Sequence, residues 1–154
     1  MKKPGFSITQ KDDALLALID ETDHKTLAAW AIECVEHVLP YFEGRYPEDP
    51  RPRNAIETLQ VWINTGVFKM AEIRGASLAS HAAAREVGDD NPARSVARAA
   101  GQAVATAHVP THSIGAANYA LQAIYRAASP ADAEAAVVDE RKWQYQRLLV
   151  LKER

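Results

Sequence analysis

The chain has 154 residues, 47% hydrophobic and 25% charged, with a formal net charge of −2. That length suits one domain, residues 1–154, able to bury a core without metals or disulfides, and the lone cysteine, Cys34, excludes an intrachain disulfide. The charge balance excludes a nucleic-acid binder driven by phosphate contacts. No apolar run reaches the roughly 18 residues of a membrane span. No apolar stretch follows Met1–Gly5 as in a secretory leader, so a cytoplasmic setting is expected.

A first short helix is predicted from about Thr9 to Ile19, carrying Leu15, Leu16, Leu18 and Ile19. Asp20-Glu21-Thr22-Asp23 reads as a break and an N-cap for a second helix with Leu27, Trp30, Ala31, Cys34 and Val38 on one stripe. Pro40 ends or kinks that helix, and Tyr41, Phe42 and Tyr46 follow as an aromatic turn. Tyr46 to Pro52 holds three prolines and is a stiff connector. Pro52 suits the first turn of a third helix with Ile56, Leu59, Trp62 and Ile63 inward, closed by Gly66 as a left-handed cap.

A fourth helix is predicted from about Phe68 to Val87, with Met70, Ile73, Ser77, Leu78 and His81 on one face. Asn91 caps a fifth, which starts at Pro92, runs to His108 and turns Val96, Ala99, Ala100, Ala103, Val104 and Ala107 inward. Ser113 is expected to cap a sixth helix carrying Ile114, Ala117, Leu121, Ile124 and Ala128. Ser129-Pro130 is expected to start a seventh, with Val137, Val138, Trp143, Leu148 and Leu151 among many charges. No segment alternates with the period of a strand. The expectation is an all-α protein, a compact bundle of about six to seven helices, in which abundant alanine lets helices approach closely.

The residues carry no phosphate cradle and no nucleophile elbow. His108 and His112 have the i, i+4 spacing of a metal-chelating pair, but Pro110 pushes Val109 out of helical geometry, so the rings need not share a face. Neither a metal nor a cofactor is expected. His81 reads either as a core histidine or as part of a polar cluster with Arg85, His108 and Gln102 where the fourth and fifth helices cross. Cys34 reads as a buried inert thiol, with His37 one turn away as a weak alternative pairing. The last helix, with Arg141, Lys142, Arg147, Lys152 and Arg154 among apolar residues, either packs back on the bundle or meets a partner.

Several stretches, taken in order, carry a family resemblance. They are Ala29-Trp30-Ala31, Val38-Leu39-Pro40-Tyr41-Phe42-Glu43, Tyr46-Pro47 and Asp49 to Ile56, then Ser80 to Arg85, Ala100-Gly101-Gln102-Ala103, Ala105 to Val109 and His112 to Ala120. With them the chain resembles a family of small bacterial helical immunity proteins, the fifth-class-immunity-like domains, over about residues 27 to 128. The resemblance implies a protein that binds and blocks a protein toxin or bacteriocin, without catalysis.

Residues 1–50 hold ten acidic and five basic side chains, a bias that would speed capture of a basic partner. Asp20, Glu21, Asp23, Glu43, Glu48 and Asp49 are the candidate contacts, with Tyr41 and Tyr46 as anchors. Two alternatives stand beside this. One is a metal- or small-ligand-binding enzyme built on His81, Arg85, His108 and His112. The other is a structural bundle that self-associates through the C-terminal helix.

Overall fold

The computed structural model describes Phe6 and residues 12–154. Among these, every regular element is an α-helix: α1 (Asp13–Asp20), α2 (His24–Val38), α3 (Pro40–Glu43), α4 (Arg51–Thr65), α5 (Met70–Val87), α6 (Pro92–Ala105), α7 (His112–Ala127) and α8 (Ala133–Lys152). The start expected for the first helix, at Thr9, lies outside the described residues.

Local signals set most boundaries. Asp23 accepts from the Thr26 amide at 2.7 Å to open α2, and Asn91 accepts from the Arg94 amide at 3.2 Å, just ahead of Pro92, to open α6. Gly66, at φ 69°, closes α4 by donating its amide to the Trp62 carbonyl at 2.8 Å. The additional element is α3. Leu39 keeps right-handed helical dihedrals, but Pro40 has no amide to continue the α2 ladder, so one new turn starts on it and buries Phe42.

Two expected caps are not used as such. α7 begins at His112, one residue before Ser113, because the preceding turn already satisfies its first amides: Val109 O accepts from His112 and Pro110 O from Ser113. The Ser113 hydroxyl donates to Pro110 O at 2.8 Å instead. Ser129 accepts through its carbonyl from Asp132 and Ala133, so Pro130 opens a turn and α8 starts at Ala133.

The centre of the packing is α6. Ala93, Ser95, Val96, Ala97, Ala99, Ala100, Gly101, Ala103 and Val104 are all buried, and the helix touches α2, α3, α4, α5 and α7. Only the stripe Arg94, Arg98, Gln102 and Ala105, with Pro92, is half-exposed. Large side chains on the helices around α6, including Trp30, Phe42 and Leu59, and Leu39 between α2 and α3, are fully buried and supply about 1.5–3 kcal/mol each. The small residues contribute less per side chain but set how near the neighbours come. On α5 the buried face is Ile73, Ser80, Ala83 and Ala84. Leu78, expected inward, is 56% exposed, because α5 turns its serine-and-alanine side to α6. There Ser80 Oγ donates to Ala97 O at 2.7 Å and Ser77 Oγ to Gly101 O at 2.9 Å.

Two glycines mark the closest approaches. A Cβ at Gly101 would lie 2.6 Å from His81 Nε2, and one at Gly115 would lie 2.8 Å from Gln102 Oε1. Gly75 on α5 faces open space. Gly75→Ala should therefore raise stability by about 0.5–1 kcal/mol, the helix-propensity gain alone. In Gly101→Ala that gain is outweighed by about 1–3 kcal/mol of overpacking. Urea unfolding of the two variants, read as midpoint shifts of opposite sign, checks this.

Candidate partner-binding surface

Three regions hold the residues of interest. The first is a polar seam along the half-exposed stripe of α6. Arg98 Nη1 donates to His81 Nδ1 at 2.9 Å, so the neutral ring carries its proton on Nε2, against Gly101. Across α6, His112 Nδ1 lies 2.8 Å from Gln102 Oε1 and donates to it. At the N-terminal end, Asp90 bridges Arg94 at 3.6 Å and Arg126 at 3.3 Å. Burial, then Arg98, Arg85 and His112, push the His81 pKa below its ordinary 6.5. Along the seam His81 thus meets Arg98 and His112 meets Gln102, while Arg85 is exposed and acts on His81 through its charge. His108 stands apart, its ring stacked on Phe68 with centroids 5.8 Å apart, because the turn over residues 106–108 carries it past the end of α6. Among the described residues no three His, Cys, Asp or Glu side chains converge as metal ligands.

The second region is the acidic set, which falls into two groups. Asp20, Glu21 and Asp23 lie before α2, and Tyr41 to Asp49 lie beyond it. The 15 residues of α2 separate the groups by about 22 Å. Several of these carboxylates already have partners. Arg53 grips Glu43 with two hydrogen bonds of 2.8 and 2.6 Å, and Arg51 grips Asp49 with two of 2.9 and 2.8 Å while also reaching Glu86. These guanidiniums hold the Glu43 and Asp49 carboxyls below their usual range. Glu21 meets Lys152 at 3.3 Å across the fold. Asp20 and Glu48 are exposed, and Tyr46 packs on Phe42 with Arg45 over its ring.

The third region was not visible in the sequence. Where α2 ends, α7 ends and α8 passes, a groove of about 320 Å³ is lined by His37, Tyr41, Ile124, Asp139, Glu140 and Trp143, with alanines between them. His37 stacks on Trp143, centroids 3.8 Å apart, and donates from Nδ1 to Glu140 Oε2 at 2.6 Å. Tyr41 is 41% exposed on the opposite wall, and Asp139 is exposed at the rim. The groove therefore joins flat aromatic faces to carboxylates. That arrangement suits an inserted Lys or Arg side chain, which gains charge pairing and cation–π contact together.

The same interface places α8. Its buried residues are Ala133, Glu140, Gln144 and Leu148; of the apolar residues expected on this helix Leu148 is buried, Val137, Trp143 and Leu151 are half-buried, and Val138 is exposed. Gln144 donates from Nε2 to Ala117 O at 2.9 Å and receives Arg141 Nη1 at 2.8 Å, while its main-chain carbonyl receives the Trp30 indole N–H at 2.8 Å. Counting back in fours from Leu148 finds Gln144 and Glu140, and that spacing was the available signal. Arg147 ties α8 to Glu33 of α2 at 2.6 Å. Cys34 is fully buried, and burial with the nearby Glu140 raises its thiol pKa well above the ordinary value, so it is inert as a nucleophile. His37 is engaged by Glu140 and Trp143.

A family model described as Imm-5 like putative immunity protein matches residues 17–151, and the chain belongs to that family. Comparison with curated proteins finds no significant match. Comparison with solved structures finds none either. No helix of the described residues is long and apolar enough to cross a membrane.

The seam makes a pH prediction. His81 protonates near 6.5 in the unfolded chain but only at lower pH in the fold, so the unfolded state binds more protons as pH falls. Its contribution to stability is complete above about pH 6.5 and is lost as pH drops through the folded value. Wild-type protein should lose stability as pH falls below about 6.5, and His81→Asn, which keeps an acceptor for Arg98, should lose less. Chemical denaturation at stepped pH measures the difference in slope.

Proposed function

We propose that this member of the Imm-5 like family is an immunity protein that binds a bacterial protein toxin or bacteriocin and neutralises it by occupying its surface, with no catalysis of its own. The family match over residues 17–151 is the observation that carries this reading. The groove at the α3 end supports it with a surface that can do the work. Tyr41 and the His37–Trp143 stack offer rigid aromatic anchors, and Asp139 and Glu140 offer charge for a basic partner.

Of the acids after α2, Glu48 is exposed and available to a partner, while Glu43 and Asp49 are already held by Arg53 and Arg51. Asp20, Glu21 and Asp23, at the other end of α2, contribute to long-range attraction more than to the docked contact.

The test is co-expression with a candidate toxin taken from the genes neighbouring its own, scored as growth protection and as a complex on size exclusion. Wild type should protect and co-elute. Tyr41→Ala with Asp139→Lys should weaken the complex at least about tenfold. Asp20→Lys with Asp23→Lys, about 22 Å away by helix rise, should slow association while leaving dissociation unchanged. No protection by the wild-type chain would reject the function, and protection unaffected by the groove pair would reject the face.

A further inference from the structure

Arg141 is the one arginine placed against the buried seam of α8, and its surroundings are incomplete. Nη1 donates to Gln144 Oε1 at 2.8 Å and Nη2 to Asn118 Oδ1 at 2.6 Å, both neutral amide oxygens. A guanidinium carries five N–H donors, so most of its capacity stays unused. By contrast, Arg51, Arg53, Arg94, Arg126 and Arg147 each contact a carboxylate. Among the described residues no carboxylate is in ion-pair contact with Arg141, and residues 1–11 contain no Asp or Glu that could supply one.

A charge taken out of water is costly unless it is paired and fully hydrogen-bonded. Burial does lower the Arg141 pKa, against the longer-range pull of Asp12. Arg141 lines a cavity of about 240 Å³ between α1, α2, α7 and α8. Leu15, Leu16, Trp30 and Ile114 line the rest of it, and Asp12, whose Oδ1 caps α1 by accepting from the Leu15 amide at 3.0 Å, stands at its edge.

We propose that this cavity is a binding site for a small apolar carboxylate, with the carboxylate on Arg141 beside Asn118 and the hydrocarbon against Leu15, Leu16, Trp30 and Ile114. The volume lies below the about 300–1,000 Å³ of sites for drug-sized ligands, which restricts the occupant to a short branched or aromatic acid or to the last residue of a peptide. Both sources present the same chemistry. The carboxylate supplies the charged acceptor that no carboxylate among the described residues supplies, and Gln144 and Asn118 hold the guanidinium plane fixed to meet it. Asp12 tunes the site in the opposite direction, because its charge repels a second carboxylate. The site is separate from the partner groove and does not depend on it.

The probes are 4-methylpentanoate, its neutral amide, and two short peptides ending in leucine, one with a free C-terminus and one amidated. Binding is read by calorimetry and by shifts of the Trp30 indole N–H resonance on the full chain. The acid should bind saturably in the millimolar range or tighter, the amide at least about tenfold more weakly, and Asp12→Asn should tighten the acid several-fold. Arg141→Met should abolish acid binding while circular dichroism stays helical, and the acid-versus-amide ratio on wild-type protein decides the matter if that variant fails to fold. A free-terminus peptide that outbinds the acid identifies a chain end as the occupant; the reverse order identifies a free acid. Equal binding of acid and amide, or no saturable binding of either the acid or the free-terminus peptide, would overturn the site.

Discussion

Everything in this fold depends on α6 being surrounded. A helix that contacts five others cannot present large side chains on every side at ordinary interhelical distance, so its buried positions are filled by alanine, serine, glycine and two valines. The closest approaches are then possible only where a neighbour's polar side chain lies on a glycine: the His81 ring on Gly101 and the Gln102 amide on Gly115. Buried hydroxyls on α5 donate to α6 carbonyls, which fixes the rotation of one helix about the other without bulk. The His81–Arg98 and His112–Gln102 pairs join α5 and α7 to α6 at the edges of this packing.

The second constraint is the seating of α8. A helix with charges on all sides is held by a line of buried polar groups whose hydrogen bonds reach α2 and α7: Trp30 to Gln144, Gln144 to Ala117, Arg141 to Asn118, His37 to Glu140. Each is worth little net when made and costs more when broken. The line specifies position more than it adds stability. It also creates the two concave features of this side of the molecule, the aromatic and acidic groove on one flank and the Arg141 cavity on the other.

What the sequence revealed and what it hid divide along the same physical line. Caps act within three or four residues, so Asp23, Asn91 before Pro92, Pro52 and Gly66 were legible, and with them the number and order of the long helices. α3 escaped because one turn after a proline has too little periodicity to separate from a loop. Of the face predicted for α5, Ile73 and Ser77 do turn toward the bundle, but the close approach of α5 to α6 brings in Ser80 and leaves Leu78 exposed. Gln144 and Glu140 were missed because their partners lie up to 114 residues away, and polar residues on a charged helix look solvated until the partners are known. The histidines were half legible: His81 does meet the crossing helix, through Arg98, and Gln102 meets His112, but the turn before Pro110 took His108 to Phe68. The acidic bias of the first third was real, yet α2 splits it into two ends and arginines occupy part of it.

The proposed role rests on membership of the Imm-5 like family and on a surface fit for a basic partner. Hydrogen–deuterium exchange on the chain, with and without the toxin proposed as its partner, tests that account most directly. The account predicts slowed exchange in residues 36–49 and 136–143, which carry the groove, and little change along the His81–His112 seam. Protection confined to the seam, or none at all in a complex that forms, would contradict it.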